Sequence, residues 1–244
     1  MDKDGRPGGE QARILIVEDD EDILHLLQHH LREQGFSVWS AREGAQALSI
    51  VRRETPDLVL LDLMLPDMDG LRVCQRIRSH PASRKLPVLM LTALGQEEHR
   101  ITGFQTGADD YVVKPFSPRE LLLRIQSLLS RTYGEGDQLA ETYVLNDLRV
   151  DAGAYRVFLH GEDLGLTTTE FLLLKALLES GERVVSREQL LERVWGFEFE
   201  GYSRTVDTHL HRLRGKLGPY ASCIQTVRGI GYRFNSGKMS NAQP

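Results

Sequence analysis

Cysteine is scarce: the chain has two in 244 residues, Cys74 and Cys223, far apart and without metal-ligand spacing. That pattern argues against a disulfide framework or a thiolate metal site and fits free thiols in the cytoplasm. Long apolar runs are missing too. No segment approaches the roughly 18–20 residues needed to cross a bilayer, so no membrane association is expected. The N-terminus, MDKDGRPGGE, is acidic and glycine-rich with no apolar centre, so it does not read as a signal peptide. No arrangement of His or Ser suggests a hydrolase triad.

Net positive charge is lacking as well, since the formal charge is −5. Its distribution matters more than its total. Residues 1–138 hold 17 Lys/Arg against 22 Asp/Glu, whereas residues 139–244 hold 13 of each. Within the second part, the stretch from Arg204 to Arg233 holds Arg204, Arg212, Arg214, Lys216, Arg228 and Arg233 against Asp207 alone. That local excess is the footprint expected for contact with nucleic-acid phosphates. The length suits two ordinary domains, each large enough for its own core.

What is present centres on Leu58 to Gly70, LVLLDLMLPDMDG. Four aliphatic residues in a row predict a strand buried on both faces, ending at Asp62, with a loop through Pro66 and Gly70 behind it. Arg13 to Val17 predicts a similar strand, ending in Glu18, Asp19 and Asp20. Strands are also expected at Phe36 to Trp39, Pro87 to Leu91 and Tyr111 to Val113. Helices are expected from Ile23 to Gly35, Gly44 to Arg53, Leu71 to Arg78, Glu97 to Gln105 and Pro118 to Ser130. Such alternation makes an α/β fold, a doubly wound five-stranded parallel sheet. Glu18, Asp19, Asp62, Thr92 and Lys114 then share the C-terminal rim of the sheet, where open α/β folds place their chemistry.

Their types specify that chemistry. Clustered carboxylates repel one another and favour a hard cation with oxygen ligands, Mg²⁺ foremost. Such a cation would neutralise the acids and an incoming phosphoryl group and leave one carboxylate as nucleophile. Thr92 can hydrogen-bond a phosphoryl oxygen, and Lys114 can pair with it as a point charge.

The segments ILIVEDD, LLDLMLPDMDG, LTA and GADDYVVKPF resemble the receiver domain of bacterial two-component response regulators. The resemblance implies a flavodoxin-like receiver over residues 12–131, in which Asp62 accepts phosphate from a sensor histidine kinase. It implies Glu18, Asp19, Asp62 and the Met64 carbonyl around Mg²⁺, Thr92 and Tyr111 as a switch pair, and Lys114 on the phosphoryl group. It further implies a cis Lys114–Pro115 bond. Arg100, Asp109, Asp110, Glu120, Arg124 and Arg131 match charged positions on the surface through which OmpR/PhoB-type receivers form a homodimer on phosphorylation. Gln126 departs from a position that is often basic.

Residues 132–140 are polar with two glycines and read as a linker. Beyond them, small antiparallel strands are expected at Tyr143 to Val150 and Tyr155 to Leu159, with turns at Ala152-Gly153 and Gly161. Thr169 to Leu178 reads as a helix, and Ser186 with Gln189 as the capping box of another that runs to Trp195. Ser203 opens a third helix, to Leu217. At about 100° per residue, Val206, Leu210, Leu213 and Leu217 fall on one side, and Arg204, Thr205, Thr208, His211, Arg212 and Gly215 on the other. The second side is basic, polar and slim enough for a major groove. A hairpin with Arg228 at its tip follows. These elements describe an α+β winged helix-turn-helix over residues 141–236.

RTVDTHLHRLRGKLG and TVRGIGYRF also resemble the OmpR/PhoB effector domain. The resemblance implies promoter DNA as partner, with Arg212 and its neighbours Arg204, Thr208, His211 and Arg214 toward the major groove. Arg228 would meet the minor groove or backbone. His211 stands where relatives often carry Arg. The loop Trp195 to Tyr202 matches a segment that touches RNA polymerase in some activators. The expected whole is a phosphorylation-controlled transcriptional regulator. Two readings stand against it: an aspartyl-phosphate phosphohydrolase, which would want a second acid just after the nucleophile where Leu63-Met64 supply none, and a receiver that dimerises without phosphate.

Overall fold

The computed structural model describes residues 12–93, 107–133, 142–152, 155–195 and 204–236. The chain divides into two compact units, Met1–Ser130 and Arg131–Pro244.

The first unit is a five-stranded sheet in the order β2-β1-β3-β4-β5, from β1 (Arg13–Val17), β2 (Ser37–Ala41), β3 (Leu58–Asp62), β4 (Val88–Ala93) and β5 (Asp110–Lys114). Every pairing is parallel. Around it lie α1 (Glu21–Glu33), α2 (Gly44–Glu54), α3 (Gly70–Ser79) and α4 (Pro118–Tyr133). Alternation along the strands sends Leu15, Val17, Val59, Leu61, Val88 and Met90 to one face, with Ala47, Val51, Val73 and Ile77 of α2 and α3. The opposite face takes Ile14, Ile16, Leu58, Leu60, Leu89 and Leu91, with Leu24, Leu27 and Leu31 of α1 and Ile125 and Leu128 of α4. Both faces are covered, which is why the strand sequences are continuously apolar rather than alternating.

Boundaries moved by one to three residues, and two shifts matter. Thr92 lies within β4, not beyond it, and α4 runs on to Tyr133, into the stretch expected as linker. The helix expected at Glu97 to Gln105 and most of the expected linker lie outside the described residues. Lys114–Pro115 is cis, as expected.

Local signals explain the helix starts. Asp20 caps α1, accepting from Asp22 N and Ile23 N at 3.0 Å each. Gly35, at φ +84°, turns the chain out of α1. The start of α2 was not legible. Glu43 precedes the helix without capping it, and the cap comes from the loop after β3, where Asp67 accepts from Gly44 N at 2.7 Å and Ala45 N at 2.9 Å.

The second unit opens with a four-stranded antiparallel sheet, β6 (Thr142–Leu145), β7 (Leu148–Asp151), β8 (Arg156–Leu159) and β9 (Glu162–Asp163). The single strand expected over Tyr143 to Val150 is instead a hairpin. Asn146, at φ +50°, makes its turn, a conformation that asparagine tolerates. Then come α5 (Thr168–Glu179), β10 (Val185–Ser186), α6 (Arg187–Trp195) and α7 (Arg204–Leu217). A 3₁₀ turn (Gly218–Cys223) leads into the wing strands β11 (Ile224–Val227) and β12 (Gly231–Phe234). Strand β10 joins the wing beside β12, giving the order β10-β12-β11. Thr167 and Glu170 form a capping box on α5. Ser186 and Gln189 form the expected one on α6, with Gln189 N donating at 3.1 Å and Ser186 N donating back at 2.9 Å. Val206, Leu210, Leu213 and Leu217 are buried in the core of this unit, as the helical wheel requires.

Candidate functional site

The parallel sheet delivers its acids to one rim. Glu18 follows β1 directly, Asp62 ends β3, Thr92 lies near the end of β4 and Lys114 ends β5. One ligand atom from each of Glu18, Asp19 and Asp62 lies within 4.8 Å of the others. Glu18 is 1 % exposed and Asp62 7 %, whereas Asp19 is more open to solvent than either. Lys114 Nζ bridges the two buried acids, at 2.6 Å from Glu18 and 2.5 Å from Asp62.

Glu18 is pushed up to about 7, first by burial and then by the charge of Asp62, while Lys114 opposes both. Lys114 is held above its ordinary value. Burial disfavours its charge, but hydrogen bonds to Asp62 and Glu18 outweigh that. Two buried carboxylates sharing one ammonium leave negative charge that a hard dication would relieve, and three oxygen donors at this spacing fit one.

The loop behind Asp62 is tightly determined. Met64 N donates to Asp62 Oδ1 at 3.2 Å, Gly70 N donates to Leu63 O at 2.8 Å, and Asp67 clamps the loop to α2. The Asp67 carboxyl is accordingly held below its usual range by the backbone N–H groups of Ala45 and Gly44. Met64 is exposed on the rim. Thr92 is fully buried, and Tyr111 of β5 nearly so.

The second unit presents α7 and the wing. His211 and Gly215 are exposed on α7 and Thr208 is half-buried. Arg228 is exposed at the hairpin tip. Arg214 Nη2 donates to Ile224 O at 2.6 Å and Thr226 Oγ1 at 2.9 Å, so it ties α7 to the wing. Arg187 makes a second tie, donating to Asp207 at 2.7 Å and lying 5.0 Å from the Tyr232 ring centroid.

Comparison with known proteins gives these sites their context. Residues 14–126 match the response regulator receiver domain, and residues 161–234 match the C-terminal domain of transcriptional regulatory proteins. The chain is 42% identical over 240 residues to the transcriptional regulatory protein SrrA of Staphylococcus aureus, covering 95% of this chain and 98% of SrrA. The chain belongs to the OmpR/PhoB-type response regulators.

Solved structures agree. A RitR mutant aligns over 92% of this regulator and 99% of its own chain, at TM-score 0.74 and 28% identity. DrrB, a Thermotoga maritima OmpR/PhoB homologue, aligns over the same shares at TM-score 0.50 and 35% identity. The curated relatives are transcriptional regulators, so the phosphohydrolase reading falls away. Among the described residues, no helix is long and apolar enough to cross a membrane.

Several expected positions of the regulator need correction. Asp109 is not on an open surface. It is 1 % exposed, and its carboxylate accepts from Arg78 Nη2 at 2.7 Å and Val88 N at 2.9 Å. Asp110 is buried as well, accepting from Arg124 at 3.2 Å, while Arg124 also reaches Glu120 at 2.9 Å. The charged set expected between subunits is thus largely satisfied within one chain. Arg100 and the Arg131 side chain lie outside the described residues, as do the Arg204 side chain, Ser203 and the loop 196–202.

Arg212 is the sharpest departure. Its guanidinium is mostly covered, 3.7 Å from the buried Glu170, instead of facing outward. Thr205 is buried too. At about 100° per residue both lie on the flank between the apolar and open sides, and packing against α5 decides which way a flank points. Of the outer side, Thr208, His211 and Gly215 remain.

Sequence reasoning missed Glu170, His209, Arg78, Asp67 and the Arg13–Asp57 pair. Only Glu170 carried a local signal, the Thr167/Glu170 capping-box spacing. Arg78, Asp67 and the Arg13–Asp57 pair are joined to partners across long stretches of chain, and nothing local to His209 showed that its ring is buried.

Proposed function

We propose that Asp62 is the phosphoacceptor of this regulator and that Glu18, Asp19 and Asp62 hold Mg²⁺ beside it, with the Met64 carbonyl as a further oxygen. The supporting observation is the pair of buried acids bridged by Lys114 at 2.5–2.6 Å on the sheet rim. An Asp62 carboxylate oxygen attacks the phosphorus of a phosphohistidine on a sensor kinase. The P–O bond forms as the P–N bond breaks, and the departing imidazole takes up a proton. Bound Mg²⁺ would offset charge on the transferring phosphoryl group. Lys114 then moves from bridging two acids to pairing with a phosphoryl oxygen, and the Thr92 hydroxyl donates to another.

In this reading the phosphoryl group draws Thr92 and Tyr111 inward and shifts the surface of β5 and α4. Glu120 and Arg124 on α4 would exchange their intrachain pairing for pairing across a homodimer. Two effector domains would then meet half-sites about one helical turn apart on promoter DNA. Thr208 and His211 would face base edges, with Arg204 beside them, and Arg228 would meet backbone or minor groove. The regulator acts in the cytoplasm.

Asp62→Asn keeps the shape of the site and removes the nucleophile. It should take up no phosphate from a small acyl phosphate with Mg²⁺, and uptake equal to the parent would refute the assignment. Sedimentation with and without a phosphoryl mimic tests the dimer, which an unchanged monomer fraction would exclude.

A further inference from the structure

The charged groups of α7 are divided between its two sides, and the inner group has a job of its own. Glu170, in the first turn of α5, is 1 % exposed. A carboxylate so placed persists only when paired. It accepts from Lys216 Nζ at 2.7 Å and from Thr167 N at 2.9 Å, with Arg212 Nε at 3.7 Å. Lys216 also donates to Gly165 O at 3.0 Å. Although burial works against its charge, Lys216 and Arg212 hold the Glu170 carboxyl below its ordinary value.

Arg212 is engaged from a second direction, since its Nη2 donates to Nδ1 of His209. A guanidinium only donates, so Nδ1 is the acceptor of this contact. His209 is fully buried, its ring centroid 5.4 Å from that of Trp195 at the end of α6. His209, Arg212 and Lys216 follow one another at spacings of three and four, one line along the helix. That line meets a single carboxylate of α5 and an indole of α6. A helix held by polar groups along one line cannot roll about its axis without leaving a buried charge unpaired, whereas aliphatic contacts alone would tolerate some rotation.

We propose that Glu170 is a positioning residue for DNA recognition. It sets the rotation of α7 and keeps Arg212 off the phosphates, so that Thr208 and His211 meet the base edges. The proposal rests on the reading of α7 as the DNA-facing helix and adds what aims it.

Glu170→Gln tests this in the full-length chain. Glutamine keeps the volume and the acceptor for Thr167 N, as capping boxes allow, and removes only the charge. The probes are a duplex selected by the wild-type protein from random sequence and its scrambled counterpart, each titrated at several salt concentrations. The variant should lose about tenfold in preference, the discrimination of roughly one base pair. Its salt slope on the scrambled duplex should steepen by about one, because Arg212 is released to a phosphate. Glu170→Gln with Arg212→Gln should restore the slope and leave the preference low, which neither general loosening nor the added charge would do. Arg212→Gln alone should leave the slope unchanged, and it decides the matter if Glu170→Gln does not fold.

A slope about one shallower in Arg212→Gln would put that arginine on DNA and overturn the proposal. So would full preference and an unchanged slope in Glu170→Gln. Wild-type protein that selects no duplex would remove the DNA-facing assignment of α7, and the proposal with it, a failure distinct from the other two.

Discussion

Replacing Gly70 with alanine is expected to disable the receiver site by moving the backbone it is built on. A Cβ at Gly70 would lie 2.1 Å from Asp62 O and 2.9 Å from Leu63 Cα. Ordinary contact requires about 3.5 Å, so something must shift by more than about 1 Å. Neither neighbour is a side chain that can swing away. Asp62 is the last residue of β3, in register with Leu91 of β4, and Gly70 N is bonded to Leu63 O. Overpacking costs about 1–3 kcal/mol, and backbone neighbours put this case near the upper end. A shift of that size at Asp62 also breaks its 2.5 Å contact with Lys114, and misplacement by about 1 Å can cost 100-fold in rate. Gly44→Ala is the matched control. Its Cβ would meet Met68 Cγ at 2.6 Å, on a flexible side chain, and Val73 Cγ2 at 2.7 Å, on a buried and stiff one, but neither belongs to the backbone that carries Asp62. Denaturant unfolding and phosphoryl uptake from a small acyl phosphate measure both variants. Gly70→Ala should lose stability and nearly all uptake, whereas Gly44→Ala should lose some stability and keep most of its uptake. Parental uptake in Gly70→Ala, or an equal loss of uptake in Gly44→Ala, would refute the reasoning.

Other expectations follow from the same contacts. Gly215 lies on the open side of α7 with nothing within 4 Å of an added Cβ, so Gly215→Ala should stabilise the effector unit by about 0.5–1 kcal/mol in thermal unfolding. Asp57 accepts from Arg13 N at 2.8 Å and Nε at 3.2 Å, and Asp57→Ala should cost about 1–3 kcal/mol, with no loss meaning that water replaces it. The folded value of Glu18, about 7, lies above its ordinary 4.5. Without divalent cation, the stability from this group is therefore whole below about pH 4.5 and is lost as pH rises through 7, a swing of about 3 kcal/mol. Urea unfolding in chelator at about pH 5 and about pH 8 should show the decline in wild type and not in Glu18→Gln.

The receiver was the more legible half, for a physical reason. A strand buried on both faces must be apolar throughout, so LVLL and RILIV mark themselves, and the residue that ends each run falls on the sheet rim by topology alone. Glu18, Asp62 and Lys114 could be gathered on paper before any coordinate. The shorter strands of the effector unit carry weaker signals. The turn at Asn146 went unread because the apolar alternation on either side of it reads as one segment, although asparagine favours turns, and β10 is only two residues long.

The flanks of α7 show where reading by period stops. The sequence by itself determined its apolar stripe, since hydrophobic burial is local to the helix and repeats with its turn. It could not say where Arg212 points. That depended on Glu170, 42 residues earlier in the chain, because charge seeks a partner in space and spacing along one helix holds no record of it. The same division separates Ser186, whose spacing to Gln189 marked the cap of its own helix, from Asp67, which caps α2 from another loop. Periodicity and local capping were written in the sequence. Which buried charge meets which was decided only when the tertiary structure brought distant segments together and left no water to take a partner's place.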